Sequence, residues 1–148
     1  MATIKERLNE AVKDALRAKE KLKLSTLRMA LSELKRVEID ERVELDDSRC
    51  TTILDKMVKQ RRESLKQFES AGREDLSARE RAEIEVLQSF LPTALTASEL
   101  ESLVTEAIVQ TSAQSMKDMR LVVEHLKPKV LGRADMAEVS KLIKSKLT

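Results

Sequence analysis

Apolar positions along the chain recur every three or four residues, the spacing of one face of an α-helix. The first apolar stripe begins with Ile4 and Leu8. Thr3 and Glu6 have the spacing of a capping box, in which each side chain satisfies the other residue's backbone N–H, so a helix is predicted to start here. The charged stretch 19–23 predicts a break before a second helix. That helix carries leucines at helical spacing: Leu24, Leu27, Leu31 and Leu34.

Two further helices are predicted before residue 92. Asp46 or Asp47 can cap the third helix, and Gly72 can end it in the left-handed conformation that glycine favours. The fourth helix is predicted to run to about Phe90. One side of the third helix carries mostly apolar residues with one charge among them: Leu54, Met57, Arg61, Leu65 and Phe68.

Pro92 marks the main interruption of the helical pattern, because a residue that precedes proline is disfavoured in the α conformation. We therefore predict a helical domain over 1–91, a linker over 92–96 and a second domain over 97–148. The second domain is expected to hold three short helices, of which the first opens with a capping box at Thr96. The other predicted boundaries are Ser115 as a cap, Pro128 as a stop, Gly132 as a turn and Asp135 as the last cap.

Composition supports a helical protein. The chain contains Gly 2, Pro 2, Trp 0 and Tyr 0, which argues against a β-rich fold. Charged residues make up 36% and hydrophobic residues 41%, typical of helices with solvated faces and apolar stripes. The sequence contains no run of about 18 apolar residues, so no membrane span is predicted. A single cysteine and an N-terminal segment without an apolar core predict a cytoplasmic location.

The same composition limits the chemistry. One histidine, His125, and one cysteine, Cys50, cannot build a zinc site of several His and Cys ligands. Gly72 and Gly132 lie too far apart for a phosphate-binding glycine loop. We therefore predict no catalytic residue, no metal and no cofactor.

Charge is unevenly distributed in the predicted tail. Residues 97–126 carry two basic against five acidic side chains, whereas residues 127–148 carry six basic against two acidic ones. A surface that binds nucleic-acid phosphates needs such clustering, although a solvated helix end with lysines that match its dipole has the same pattern. A second basic run lies on the third predicted helix: Lys56, Lys59, Arg61, Arg62 and Lys66. Of these, Lys59, Arg62 and Lys66 share one face.

Several segments, in order and over nearly the whole chain, resemble the YqeY family. They are KQRRESL at 59–65, FESAGREDL at 68–76, EIEVL and FLP within 83–92, SMKDM at 115–119, and PKV and GRAD within 128–135. The resemblance implies a helical N-terminal domain of four helices and a three-helix GatB/YqeY tail. That tail is shared with the B subunit of the tRNA-dependent amidotransferase, which amidates Glu-tRNA(Gln) or Asp-tRNA(Asn).

The resemblance implies tRNA binding by the tail without amidotransferase catalysis, because the catalytic domain of that subunit is separate and larger. Any carbon–nitrogen ligase activity with glutamine as amido donor would follow from homology alone. The candidate RNA-binding residues are Lys127, Lys129, Arg133, Lys141, Lys144 and Arg120, and the structural motif residues are Gly132, Asp135, Gly72 and Pro92. The family usually has glycines where this chain has Arg120 and Glu124; the arginine could add a phosphate contact, and the glutamate would oppose one.

Three interpretations therefore stand at this point. The first is a non-catalytic protein that binds tRNA or another structured RNA through its basic tail. The second is a helical interaction or regulatory module that acts with an amidotransferase or an aminoacyl-tRNA synthetase. An enzyme subunit that is active only inside such a complex is a third possibility, and no membrane partner is expected.

Overall fold

The structure, a computed structural model, describes residues 2–148. These residues form seven α-helices and one 3₁₀-helix, with no strand among them, so the predicted all-α class is confirmed. The helices are α1 (Ile4–Ala18), α2 (Lys21–Glu41), α3 (Asp47–Ser70), α4 (Glu74–Gln88), α5 (Ala97–Thr111), α6 (Met119–Val130) and α7 (Met136–Leu147), and the 3₁₀-helix (Met116–Asp118) directly precedes α6.

Side-chain caps fix the starts of three helices as predicted. The Glu6 backbone N–H donates to Thr3 Oγ1 at 3.1 Å, and the Thr3 N–H donates to a Glu6 carboxylate oxygen at 3.4 Å. Thr96 and Glu99 form the same reciprocal pair, at 3.1 and 3.3 Å. Asp46 caps α3 by accepting the backbone N–H of the third helical residue at 2.8 Å. Each cap satisfies N–H groups that have no partner within the helix.

Two predicted boundaries in the tail are wrong. Pro128 does not stop α6 but lies inside its last turn, and the helix continues to Val130. A proline there removes only one backbone N–H bond, and the fully buried Val130 side chain holds the turn in place. Ser115 makes no side-chain cap; it precedes the 3₁₀-helix in an extended conformation, and α6 begins only at Met119.

Left-handed residues follow several of the helices. Gly72 (φ 69°) follows α3 and Gly132 (φ 70°) lies in the turn between α6 and α7, as their positions in the sequence predict. Lys19, Arg42 and Ser112 take similar positive φ angles at the ends of α1, α2 and α5. Residues other than glycine disfavour this conformation. These three helix ends contain no glycine, so the sequence gives no signal for them.

By their internal contacts the residues fall into two compact units, one ending at Leu91 and the other beginning at Pro92. The first unit packs α1 to α4 around a single apolar core, with α3 and α4 as its most extensively packed pair. Its largest fully buried side chains are Leu8, Leu27, Leu34, Leu54, Val58 and Leu87. That these units are separate domains joined by a linker over 92–96 stays a prediction.

The second unit packs α5, α6 and α7 around its own apolar core. The fully buried side chains there are Val104, Val122, Leu126, Val130, Val139 and Ile143. They recur at three- to four-residue spacing, so each helix turns one face inward and leaves the opposite face for solvent. The lysines of α6 and α7 are exposed, and Arg133 lies in the turn between the two helices.

Candidate nucleic-acid interface

The candidate lysines of the tail lie at the surface of the second unit. Lys127 and Lys129 lie in the last turn of α6, and Lys141 and Lys144 lie along α7; all four are exposed. Within residues 2–148 none of them forms an ion pair with an acidic side chain. An ammonium group without a carboxylate partner can bind a phosphate without first breaking an ion pair, so these four lysines are the strongest part of the predicted site.

Helix geometry arranges the four lysines on different faces. Lys141 and Lys144 are three residues apart and therefore share the outward face of α7. Lys127 and Lys129 are two residues apart, and at about 100° per residue they project to opposite sides of α6. Lys141 and Lys144 thus lie on a common face, whereas Lys127 and Lys129 do not.

Arg120 is occupied by an acidic neighbour. Its Nε lies 3.2 Å from Glu124 Oε1, one helical turn away, and both side chains are largely exposed. Lys127 follows Glu124 by three residues, so the carboxylate lies between two cations on the same face of α6. The structure therefore places Arg120 beside the acid that was expected to oppose phosphate binding, and this face of α6 is not uniformly basic.

Arg133 ties the chain before α5 to the turn before α7. Its Nε donates to the backbone oxygen of Thr93 at 2.9 Å, and its own backbone oxygen accepts the Leu95 N–H at 2.8 Å. Residues 93 and 95, which the sequence assigns to a linker, are thereby held within the second unit. The proposed phosphate contact at Arg133 has to share its guanidinium with this structural role.

The structural motif residues act at chain turns. Gly132 supplies the left-handed conformation in the α6–α7 turn, and Asp135 caps α7 by accepting the Ala137 N–H at 3.0 Å. Gly72 supplies the same left-handed conformation in the turn between α3 and α4. Pro92 is the first residue of the second unit. These residues shape the backbone, and none of them supplies a positive charge.

Most cations of the second basic run, on α3, have an ion-pair or hydrogen-bond partner. The Lys66 Nζ lies 3.9 Å from a Glu63 carboxylate oxygen, and the Lys59 Nζ lies 3.9 Å from an Asp55 carboxylate oxygen. The Arg62 guanidinium donates to the side-chain oxygen of Gln88 at 3.4 Å. Arg61 points into the first unit. The face that Lys59, Arg62 and Lys66 share by spacing is therefore a face of paired or hydrogen-bonded side chains.

An internal ion pair in the first unit was not foreseen from the sequence. Arg61 Nε lies 3.1 Å from Glu83 Oε2, and the two side chains are only 14% and 8% exposed. The Arg79 side chain is mostly exposed, and its Nε lies 3.4 Å from Oε1, the other carboxylate oxygen of Glu83. The signal was present in the sequence: a cation on the apolar side of α3 needs an acid on the helix that it faces.

Cys50 and His125 show no catalytic arrangement. Cys50 is fully buried, and burial raises the pKa of its thiol, so the reactive thiolate is disfavoured. His125 is half-buried, and its Nε2 has no hydrogen-bond partner within the described chain. In residues 2–148 no cluster of three or more His, Cys, Asp or Glu side chains could hold a metal ion. No described helix is long and apolar enough to cross a membrane.

The described residues form an all-helical protein whose candidate site is an exposed, charged surface. A family model described as Yqey-like protein matches residues 5–147, and the chain belongs to the YqeY family. That match spans both packed units, so the family pattern includes the bundle of α1 to α4 as well as the basic tail.

The curated relatives that match are fungal proteins. The chain is 33% identical over 118 residues to Altered inheritance of mitochondria protein 41, mitochondrial, of Lachancea thermotolerans, covering 75% of this chain and 63% of the relative. With the protein of the same name from Eremothecium gossypii it shares 37% identity over 101 residues, 68% of this chain and 55% of the relative. The Pyrenophora tritici-repentis protein is 29% identical over 142 residues, 93% and 77% of the two chains. The chain thus spans little more than half the length of the first two.

These relatives correct the predicted cytoplasmic location. The names of the proteins from Lachancea thermotolerans, Eremothecium gossypii and Pyrenophora tritici-repentis describe them as mitochondrial. The prediction relied on a single cysteine and on an N-terminal segment without the apolar core of a secretory signal. The first excludes an internal disulfide and the second argues against secretion, but neither distinguishes the cytoplasm from another reducing compartment.

Proposed function

We propose that this chain is a non-catalytic RNA-binding protein that contacts the phosphates of tRNA or another structured RNA through its tail. The proposal is carried by the exposed lysines of α6 and α7 that have no acidic partner within the described residues: Lys127, Lys129, Lys141 and Lys144. Each phosphate that such a lysine neutralises releases condensed counterions, which supplies affinity without base recognition.

Contact with phosphates rather than with bases fits the aromatic content. Base stacking needs exposed aromatic faces. Phe90 is only 8% exposed, and the Arg7 guanidinium lies 5.3 Å from its ring centre. Phe68 is half-buried on α3. The protein is therefore proposed to recognise RNA by charge and shape.

The relation to the amidotransferase forms part of this proposal. Membership of the YqeY family supports a tail of the kind found in the B subunit, and hence a tRNA-like ligand. We assign no amidation chemistry to the chain itself, and no cofactor. If carbon–nitrogen ligase activity accompanies the protein, it resides in a larger partner.

A second candidate function is docking on such a partner, an amidotransferase or an aminoacyl-tRNA synthetase. Val109 on α5 and Leu121 on α6 are 71% and 53% exposed, although both are apolar. Exposed apolar side chains favour contact with protein rather than with phosphate. Binding through them would depend little on salt, which separates the two candidates experimentally.

The test is a titration of labelled bulk tRNA with the full chain at several salt concentrations. The variant replaces the four unpaired lysines: Lys127→Gln, Lys129→Gln, Lys141→Gln and Lys144→Gln. We expect weaker binding and a log–log salt slope shallower by about one unit per lost phosphate contact. A control variant with the same change of net charge replaces ion-paired cations elsewhere: Lys13→Gln, Arg17→Gln, Lys66→Gln and Arg73→Gln.

Unchanged binding by the tail variant would refute the tail site. Equal losses of tRNA affinity in the tail and control variants would show that the effect comes from net charge alone. Salt-insensitive capture of an amidotransferase or a synthetase, lost in a Val109→Ser, Leu121→Ser variant, would instead support the docking function.

A further inference from the structure

The outward face of α2 carries an ordered stripe of hydrogen-bond donors. Lys21, Arg28 and Lys35 follow each other at seven-residue intervals, and Ser25 and Ser32 lie between them. We call these five residues the α2 stripe. Seven residues of α-helix span about 10.5 Å, so the three cations form a row about 21 Å long.

The α2 stripe faces away from the core of the first unit. The buried side chains of α2, among them Leu27, Ala30 and Leu34, occupy the opposite face of the helix. All five residues of the stripe are exposed. Four of them, all except Lys35, line an open groove of about 640 Å³ that runs along the helix.

The three cations of the α2 stripe have no acidic partner within the described chain, and neither serine hydroxyl makes a hydrogen bond there. Three of the acids that border the stripe are already engaged. Arg36 binds Glu33 at 2.6 Å and Asp40 at 2.9 Å. Glu38, three residues beyond Lys35, binds Lys5 at 2.7 Å. At the Lys21 end, Glu20 lies 3.9 Å from Lys23, and Glu85 lines a second groove together with Lys21. The stripe therefore presents a row of cations without an ion-pair partner in residues 2–148, with Glu85 as an acid near one end.

This pattern is complementary to a phosphate backbone. Ammonium, guanidinium and hydroxyl groups are the side-chain donors that most often bind nucleic-acid phosphates, and evenly spaced cations suit an evenly charged chain. A protein interface would need large apolar or aromatic anchors. The exposed large apolar side chains of α2 are Leu22, Met29 and Ile39, at 37%, 38% and 65%, and none of them is aromatic.

We propose that the α2 stripe is a second RNA-binding surface, which holds the sugar-phosphate backbone through Lys21, Arg28 and Lys35 with Ser25 and Ser32 as auxiliary donors. The inference rests on the proposed function, because it takes the same RNA as ligand. It assigns part of the affinity to the first unit, whereas the candidate RNA-binding residues predicted from the sequence all lie in the tail. Since the donors meet only phosphates, this contact discriminates little between sequences.

The experiment uses the full chain and labelled bulk tRNA over a range of salt concentrations. The stripe variant is Lys21→Gln, Arg28→Gln, Lys35→Gln, and the matched control is Lys13→Gln, Arg17→Gln, Lys66→Gln, which removes the same number of exposed cations from ion pairs. We expect the stripe variant to lose affinity at least tenfold at moderate salt, with a slope shallower by about three units. The control should bind like the wild type.

A charge-preserving variant, Lys21→Arg, Arg28→Lys, Lys35→Arg, should keep the wild-type salt slope, and helical circular dichroism should match in all proteins. Loss of binding in the tail variant with normal binding in the stripe variant would overturn this inference and leave the tail site standing. The reverse result would support the stripe and refute the tail. An equal loss in the matched control, or no binding of tRNA by the wild type, would overturn the stripe as well.

Discussion

The buried ion pair of the first unit makes a strong prediction about stability. Arg61 and Glu83 join α3 to α4 with both side chains almost fully buried. Replacing Arg61 with Met leaves the Glu83 carboxylate buried with Arg79 as its remaining cation, and the Arg79 side chain is 60% exposed. An uncompensated buried charge is far more costly than a missing attraction.

The magnitude follows from what Glu83 retains. Removing one partner of a buried pair costs about 3–5 kcal/mol, and because Arg79 still reaches one carboxylate oxygen we expect the lower end, about 3 kcal/mol. For a chain of this size that lowers the melting temperature by about 6–12 °C. The double variant Arg61→Met, Glu83→Leu removes both charges and should recover most of the loss.

The assay is urea unfolding followed by far-ultraviolet circular dichroism, because the chain contains neither tryptophan nor tyrosine for fluorescence. The matched control is Arg120→Met, which breaks an arginine–glutamate pair whose side chains are 88% and 62% exposed. Exposed helical pairs contribute less than about 0.5 kcal/mol, so this variant should unfold almost like the wild type.

The reasoning would be refuted if the double variant were as unstable as Arg61→Met alone. Glu83 would then not be the cause of the loss, and the guanidinium would matter through its other contacts, such as its hydrogen bond to the Met57 backbone oxygen. Equal losses in Arg61→Met and Arg120→Met would likewise contradict the argument from burial.

Two further predictions concern titratable groups of the first unit. Hydrogen bonds from Lys5 and from the Leu45 backbone N–H hold the pKa of Glu38 below its ordinary 4.5, so this contact stabilises the fold above that pH and is lost as the pH falls through the lowered value. Glu38→Gln should therefore be less stable than the wild type at neutral pH, with a difference that shrinks in acid; urea midpoints at a series of pH values test this, and a constant difference would contradict it. Burial raises the pKa of Cys50, so the thiol should resist a disulfide reagent in the native protein and react fully in urea; fast native reaction would show that the site opens.

The fold was largely predictable because its helix starts are encoded locally. Thr3 and Thr96 sit three residues before a glutamate, and Asp46 precedes an apolar stripe, so each cap depends on neighbouring residues alone. Pro128 shows where a local rule fails, since burial of Val130 outweighs the loss of one backbone hydrogen bond. The end of α2 at Arg42, in a left-handed conformation without glycine, could not be read from residue type.

The candidate site was less predictable because charge in a sequence does not show which cations are paired. The sequence identified the exposed lysines of the tail but could not show that Arg133 holds the backbone at Thr93. It also grouped Arg61 with the solvated lysines of α3. That assignment fails because only the packing of α3 against α4 places Glu83 within reach of the guanidinium.

An ion pair within a helix can be predicted from an acid that lies three or four residues from a cation. The sequence does not show which of several cations will pair with that acid. Lys127 has Glu124 at the right distance along α6, and Lys35 has Glu38 along α2. In the structure Arg120 takes Glu124 at 3.2 Å, and Lys5, from another helix, takes Glu38 at 2.7 Å. Both lysines are left without an acidic partner in residues 2–148, and both belong to the proposed RNA surfaces. The positive charge of these surfaces therefore depends on contacts that engage the neighbouring acids as much as on the lysines themselves.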